Sequence, residues 1–297
     1  MALLFAVPPP CHGQVITPPP LAGDSANLSK LTTPVEVEFR DGRTVQGSGF
    51  FYLEYKPIEG ETEGLHWHDV THMYLVTAKH VIQPNRLGDI VRLTYALRVG
   101  DGDHTVWHRL NLDGKTLGMR LHLCKKEATD VAVVDIYEQW TDEMKKSADL
   151  QAHFLGASAV SPEKFPGRTP AEIQPGDDVM VIGYPLGMDD PFNKLPIFKR
   201  GLLNTPIGMH FDGKDAFLFD FKYYDGASGS LIIAKSPQIF VTKEGKVAFS
   251  NYSDFVFLGV YEGEEYRTDD PTQRPDLGLG WYYYNVEEAI GNPPFSH

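Results

Sequence analysis

Cysteine is nearly absent: only Cys11 and Cys124 occur in 297 residues, which excludes a disulfide framework and any CxxC or multi-cysteine zinc site. No stretch approaches the roughly 20 uninterrupted apolar residues that a helix needs to span a bilayer. Basic residues are in deficit, 27 Lys and Arg against 40 Asp and Glu for a net charge of −13. Nucleic acid and anionic membrane are therefore poor partners. The opening run Met1–Val7 is too short for a secretory signal, lacks a basic flank and passes at once into Pro8-Pro9-Pro10. With so little cysteine, a reducing, cytoplasmic compartment is the expectation.

What is present is an ordinary globular composition, 42% hydrophobic and 12% aromatic, long enough for two domains or for two halves sharing one interface. Residues 1–34 carry the triplets Pro8–Pro10 and Pro18–Pro20 with few large apolar groups, which favours an extended arm. From Val35 the chain turns to short β-branched and aromatic runs. Val35–Phe39, the turn signal Asp41-Gly42 and the run Gly47–Leu53 predict a hairpin. Further strands are expected over Met73–Val76, Val91–Leu97, Thr105–Leu112 and Val131–Ile136, making residues 35–137 a first β unit. The stretch from Glu138 to Gly156 has helical spacing and opens a connector, residues 138–172.

Strand texture resumes in a second unit, residues 173–290, at Asp178–Ile182, Ile197–Leu203, Ala216–Phe221, Leu231–Ala234, Phe255–Tyr261 and Leu279–Tyr284. Asn285–Ile290 reads as a short helix capped by Asn285 and stopped by Gly291 and Pro293, before a tail over 291–297. The pattern predicts an all-β chain of two six-stranded antiparallel β-barrels, with a helical connector and a short C-terminal helix.

Three segments carry chemistry. Leu75-Val-Thr-Ala-Lys-His80-Val81 runs a strand into a histidine, Ala128-Thr-Asp130-Val-Ala-Val-Val134 sets an aspartate at the head of a buried strand, and Asp225-Gly226-Ala227-Ser228-Gly229-Ser230 places a serine among glycines. A serine hydroxyl is a feeble nucleophile until an imidazole takes its proton, and the imidazole needs its other nitrogen held by a carboxylate. Ser228, His80 and Asp130 fill those roles in that order. The flanking glycines let the loop turn sharply and aim the amides of Gly226 and Ser228 at one oxygen, an oxyanion hole worth roughly 3–4 kcal/mol per donor. An α/β-hydrolase elbow does not fit, since residue 230 is Ser rather than Gly and the acid and histidine precede the serine.

The ordered set resembles the trypsin-like (chymotrypsin-fold) serine peptidases, especially the bacterial disulfide-free forms, over roughly residues 35 to 290. Gly47-Ser48-Gly49-Phe50, Gly176–Gly187 and Leu258-Gly259-Val260-Tyr261 support the likeness. The resemblance implies a chymotrypsin-type pair of barrels and a serine endopeptidase acting on protein or peptide substrates, without cofactor or metal. His80, Asp130 and Ser228 would be its catalytic residues, and Lys222, Tyr223, Tyr224, Asp225, Val260 and Tyr261 its substrate-binding residues. Ala227 stands where digestive members carry the Asp that receives a cut N-terminus, so activation by N-terminal cleavage is not expected. No regulatory peptide-binding domain is expected to follow, because the chain ends at His297. The alternative is a catalytically inactive module of the same fold that binds peptides or a partner protein.

His66, His68 and His72 form a dense cluster in which zinc is chemically possible; without a third ligand at a recognised spacing, an exposed hairpin is the better reading. The aromatic block Trp281–Tyr284 reads as core and cleft wall. An intracellular peptidase needs restraint. The arm 1–34, the insertion 56–72 or an activating or inhibiting protein partner is expected to supply it.

Overall fold

The computed structural model describes residues 28–57, 68–147, 150, 173–222, 224–235, 239–241, 247–249, 255–264 and 276–291. Residues 1–27 of the Pro-rich arm, most of the connector and residues 58–67 of the acidic insertion lie outside the described residues.

Strand β1 (Thr32–Phe39) shows why the first half folds as it does. Val35, Val37 and Phe39 alternate with Glu36 and Glu38, and the three apolar side chains are buried. That is the period of two expected of a strand. It begins three residues before the expected Val35. A turn with Gly42 at φ +83° leads into β2 (Thr44–Pro57), which pairs antiparallel with β1. Strand β3 (His68–Thr77) runs straight into a single helical turn, α1 (Lys79–Ile82), which Gln83 ends in the left-handed conformation. Then follow β4 (Ile90–Asp101), β5 (His104–Leu112), helix α2 (Gly114–Arg120), β6 (Leu121–Leu123), β7 (Ala132–Asp135) and helix α3 (Tyr137–Lys146). Asp113 caps α2 by accepting from Thr116 N.

The first sheet has the order β5-β4-β1-β2-β3-β7-β6, all neighbours antiparallel. It holds seven strands, one more than expected, because the three residues of β6 add an edge to β7.

The second half comprises β8 (Asp178–Gly183), β9 (Ile197–Leu202), β10 (Ala216–Asp220), β11 (Leu231–Lys235), the small hairpin β12 (Ile239–Val241) and β13 (Val247–Phe249), β14 (Phe255–Glu264), β15 (Leu277–Tyr282) and helix α4 (Tyr284–Gly291). Its six-stranded sheet has the order β10-β15-β14-β11-β8-β9. A bridge from Leu203, just past β9, to Phe219 on β10 closes the ring.

The halves share a core. In β2, Phe51 packs into the first barrel while Phe50 and Tyr52 turn the other way; in β3 and β7, Val76 and Val133 do likewise. These side chains meet Ile182, Leu231, Ile233, Phe257 and Trp281 of the second half. Phe50 and Phe257 meet edge to face at 5.5 Å, a contact worth about 0.5–1.5 kcal/mol beyond its buried area. Both faces are therefore buried over Phe50–Tyr52, Met73–Thr77 and Ala132–Val134, which is why these segments read as continuous apolar runs. Among the described residues no helix is long and apolar enough to cross a membrane.

Candidate active site

The sequence places His80 in the one turn of α1 that follows β3, so its position is set by a strand locked between β2 and β7. Asp130 lies just ahead of β7, the neighbour of β3, and is buried. Its Oδ2 is 2.6 Å from His80 Nδ1, and its Oδ1 accepts the His80 backbone N–H at 2.8 Å. A carboxylate only accepts, so Nδ1 carries the proton and Nε2 is left basic. Partial burial pushes the His80 imidazole down. The hydrogen bond and charge of Asp130, with the charge of Glu262, outweigh it and leave the group above its ordinary value.

Ser228 sits on a loop from Tyr224 to Ser230 that leads into β11. Gly226 and Gly229 both take positive φ, +78° and +85°, and a side chain at 229 would strike Ser48 O and Thr77 Oγ1. Glycine at 229 is thus needed for conformation and for space alike. Gly229 N donates to Tyr261 O at 2.7 Å and Ser230 N to Ala227 O at 3.0 Å. Among the described residues the amides of Gly226 and Ser228 donate to no protein acceptor.

His80 and Ser228 line the same cleft, about 570 Å³, with Thr44, Val45, Gln46, Leu186, Asp225 and Gly226. The Ser228 hydroxyl makes no hydrogen bond to His80 or to any other described residue. Such contacts are often long in unliganded enzymes and tighten when substrate arrives.

The other expected site residues divide. Asp225 lines the cleft. Lys222 is exposed and stands outside the cleft wall; Tyr224 lies under the Lys199 ammonium, 3.8 Å from its ring centroid. Tyr223 falls outside the described residues. Val260 and Tyr261 turn their side chains into the core, Tyr261 against Phe219 and Phe221, and the Tyr261 backbone bonds the Ser228 loop at Gly229 N and Ser230 O. Of the histidine cluster, His66 and the side chain of His68 are outside the described residues, and His72 pairs with Asp135 at 3.2 Å. Among the described residues no three His, Cys, Asp or Glu side chains are grouped as metal ligands.

Two nearby residues carry no signal in the sequence. Leu186 is exposed on the cleft wall in a left-handed conformation, φ 57°. Glu262 occupies the register shift between Tyr261 and Gly263 on β14, a bulge that re-aims its side chain. Trp281 Nε1 donates to Glu262 Oε2 at 2.6 Å. Burial pushes the Glu262 carboxyl up and the charge of Asp130 adds to it, against the pull of the Trp281 bond.

No curated protein matches the chain. Among solved structures, it is similar to the HtrA-type protease AlgW with a tripeptide, with a TM-score of 0.48 and 14% identity over 91% of this chain. The chain spans 63% of that protein's length. It is also similar to an inactivated protease paralogue of the scabies mite, with a TM-score of 0.44 and 13% identity over 91% of this chain and 98% of the other. A family model described as a trypsin-like peptidase domain matches residues 47–239, a span that holds His80, Asp130 and Ser228, and the chain belongs to that family.

Proposed function

We propose that the protein is a serine endopeptidase that hydrolyses protein or peptide substrates through an acyl-enzyme on Ser228. The observation that carries the reading is the double contact of Asp130 with His80 at the cleft that Ser228 lines. Substrate closing over the cleft brings the Ser228 hydroxyl to the basic Nε2 of His80, which takes its proton as Oγ attacks the scissile carbonyl. The carbonyl electrons move onto oxygen, where the amides of Gly226 and Ser228 receive the charge. As the tetrahedral centre collapses, the C–N bond breaks and the imidazolium returns its proton to the leaving amine. Water, deprotonated by His80, then splits the ester and restores Ser228. Asp130 holds the ring in the needed tautomer and offsets its positive charge throughout. Every step uses groups of this chain and water.

A fluorophosphonate probe tests the assignment. It should label the wild-type chain and leave Ser228→Ala unlabelled, and cleavage of a denatured proteome should vanish with the same substitution. Equal labelling of both chains rejects it.

A further inference from the structure

Ser48 comes from β2 of the first half, yet it is tied to the nucleophile loop of the second. It is fully buried. Its N–H donates to Ser228 O at 2.8 Å, its Oγ donates to Gly226 O at 2.9 Å, and the same Oγ accepts from Tyr184 N at 2.8 Å. Thr77 Oγ1, three residues before His80, donates to Ser48 O at 2.7 Å. One residue therefore joins the histidine strand, the turn after β8 and the serine loop.

Four successive carbonyls of that loop are held. Asp225 O accepts from Leu186 N at 2.5 Å, Gly226 O from Ser48 Oγ, Ala227 O from Ser230 N and Oγ, and Ser228 O from Ser48 N. In a trans peptide the N–H points opposite to the C=O. Holding the carbonyls of Asp225 and Ala227 thus turns the amides of Gly226 and Ser228 the other way, and of these four peptides theirs are the two amides that donate to no acceptor among the described residues. The peptide between them, Gly226–Ala227, is the hinge of the pair. Its N–H, on Ala227, donates to Tyr224 O at 3.1 Å, and its carbonyl is held by the Ser48 hydroxyl.

We infer that Ser48 is a positioning residue for catalysis: its hydroxyl fixes the Gly226–Ala227 peptide so that the Gly226 and Ser228 amides converge on one oxygen. This rests on the reading of Ser228 as nucleophile. Ser48→Ala removes the hydroxyl, leaves Gly226 O and Tyr184 N without that partner, and loosens the peptide to a single anchor, the bond from Ala227 N to Tyr224 O at 3.1 Å.

Thr33 supplies the control. It is equally buried, and its hydroxyl likewise bridges a backbone acceptor and a donor, Ala96 O and Ala96 N, both at 2.9 Å on β4. Thr33→Ala removes a comparable pair of bonds and leaves the nucleophile loop's hydrogen bonds intact.

The experiment compares wild type, Ser48→Ala, Ser48→Cys and Thr33→Ala on the best peptide from cleavage-site profiling. Both alanine variants lower the melting temperature. Only Ser48→Ala lowers kcat, by about 10- to 100-fold, short of the loss of a whole oxyanion donor, with KM changed less than about two-fold. Affinity for a peptide aldehyde, which forms an oxyanion adduct on the serine, falls in step with kcat, while affinity for the matching peptide alcohol holds. Ser48→Cys keeps a weak donor and loses less, and it carries the test where Ser48→Ala does not fold. Unchanged kcat and aldehyde affinity in the Ser48 variants, or an equal kcat loss in Thr33→Ala, overturns the inference while Ser228 stands. A wild-type chain that no fluorophosphonate labels overturns both.

Discussion

Asp130 meets His80 twice, through Oδ2 at 2.6 Å from the ring Nδ1 and through Oδ1 at 2.8 Å from the backbone N–H. The second bond fixes the turn that carries the ring, and the first fixes the ring and its tautomer. Asp130→Asn separates these roles. The amide can turn its oxygen to the His80 N–H and then presents NH₂ to Nδ1, which forces the ring into the wrong tautomer. Turnover should fall by roughly 10³–10⁴-fold, while circular dichroism and the melting curve stay close to wild type.

The same pair sets the pH dependence. Burial pushes His80 down, and Asp130 and Glu262 raise it to a net value above the ordinary imidazole range. The base works only when unprotonated, so kcat/KM should rise with pH through a midpoint above about 6.5, the unperturbed imidazole value. Glu262→Gln removes a negative charge that favours the imidazolium, so it should move that midpoint to lower pH. A profile unaltered by the substitution places Glu262 outside the electrostatics of the site. The stability that the pair contributes has the matching sign. It is complete below the unfolded imidazole value and is lost as pH rises through the raised folded one. Replacing His80 with Gln should therefore cost more melting temperature in mild acid than in alkali.

The meeting of Asp130 with His80, and the cleft that His80 shares with Ser228, were legible because each of the three residues is announced by its own neighbours: a strand entering His80, an apolar strand leaving Asp130, glycines around Ser228. Such local patterns survive without knowledge of the fold. The cleft wall was not legible in the same way. Val260 and Tyr261 stand in a strand that is apolar on both faces, so no alternation tells an inward side chain from one at the cleft. Ser48 and Glu262 are defined by partners far along the chain, Gly226 and Tyr184 for the one, Trp281 and His80 for the other. β6 has three residues, too few to display a period. The extent of β1 was also hidden, because Thr32 and Thr33 look polar yet are buried, Thr33 with its hydroxyl bonded to Ala96.

Gly229→Ala should be among the most damaging single changes. The residue stands at φ +85°, and an added Cβ would press on Ser48 O, Thr77 Oγ1 and Ala78 N. The left-handed conformation alone costs an L-residue about 1–2 kcal/mol. The backbone clash comes on top, at the joint between the serine loop and the histidine strand. Urea unfolding should show a loss above about 2 kcal/mol, with fluorophosphonate labelling abolished. Gly42→Ala is the comparison. It shares a positive φ and has open space around it, so it should cost strain only and leave labelling intact.

Asp215 ties the halves together at a distance from the cleft. It is buried, accepts from Lys126 Nζ of the first half, lies 2.6 Å from His210 Nδ1, and receives a longer bond of 3.4 Å from the Tyr284 hydroxyl. Burial pushes its carboxyl up, and the bond and charge of Lys126 with the charge of His210 outweigh it, leaving the group below the ordinary carboxylate range. A depressed carboxylate contributes stability above its unfolded value, about 3.9, and that contribution is lost as pH falls through the folded one. Asp215→Asn should therefore lower the melting temperature by several degrees near neutrality, and the gap to wild type should narrow steadily as pH drops below about 4. Lys126→Met, which removes the partner and leaves the buried carboxylate, should show the same acid-side convergence. A gap that stays constant with pH in both variants would mean that packing around Asp215, rather than its charge, holds the two halves.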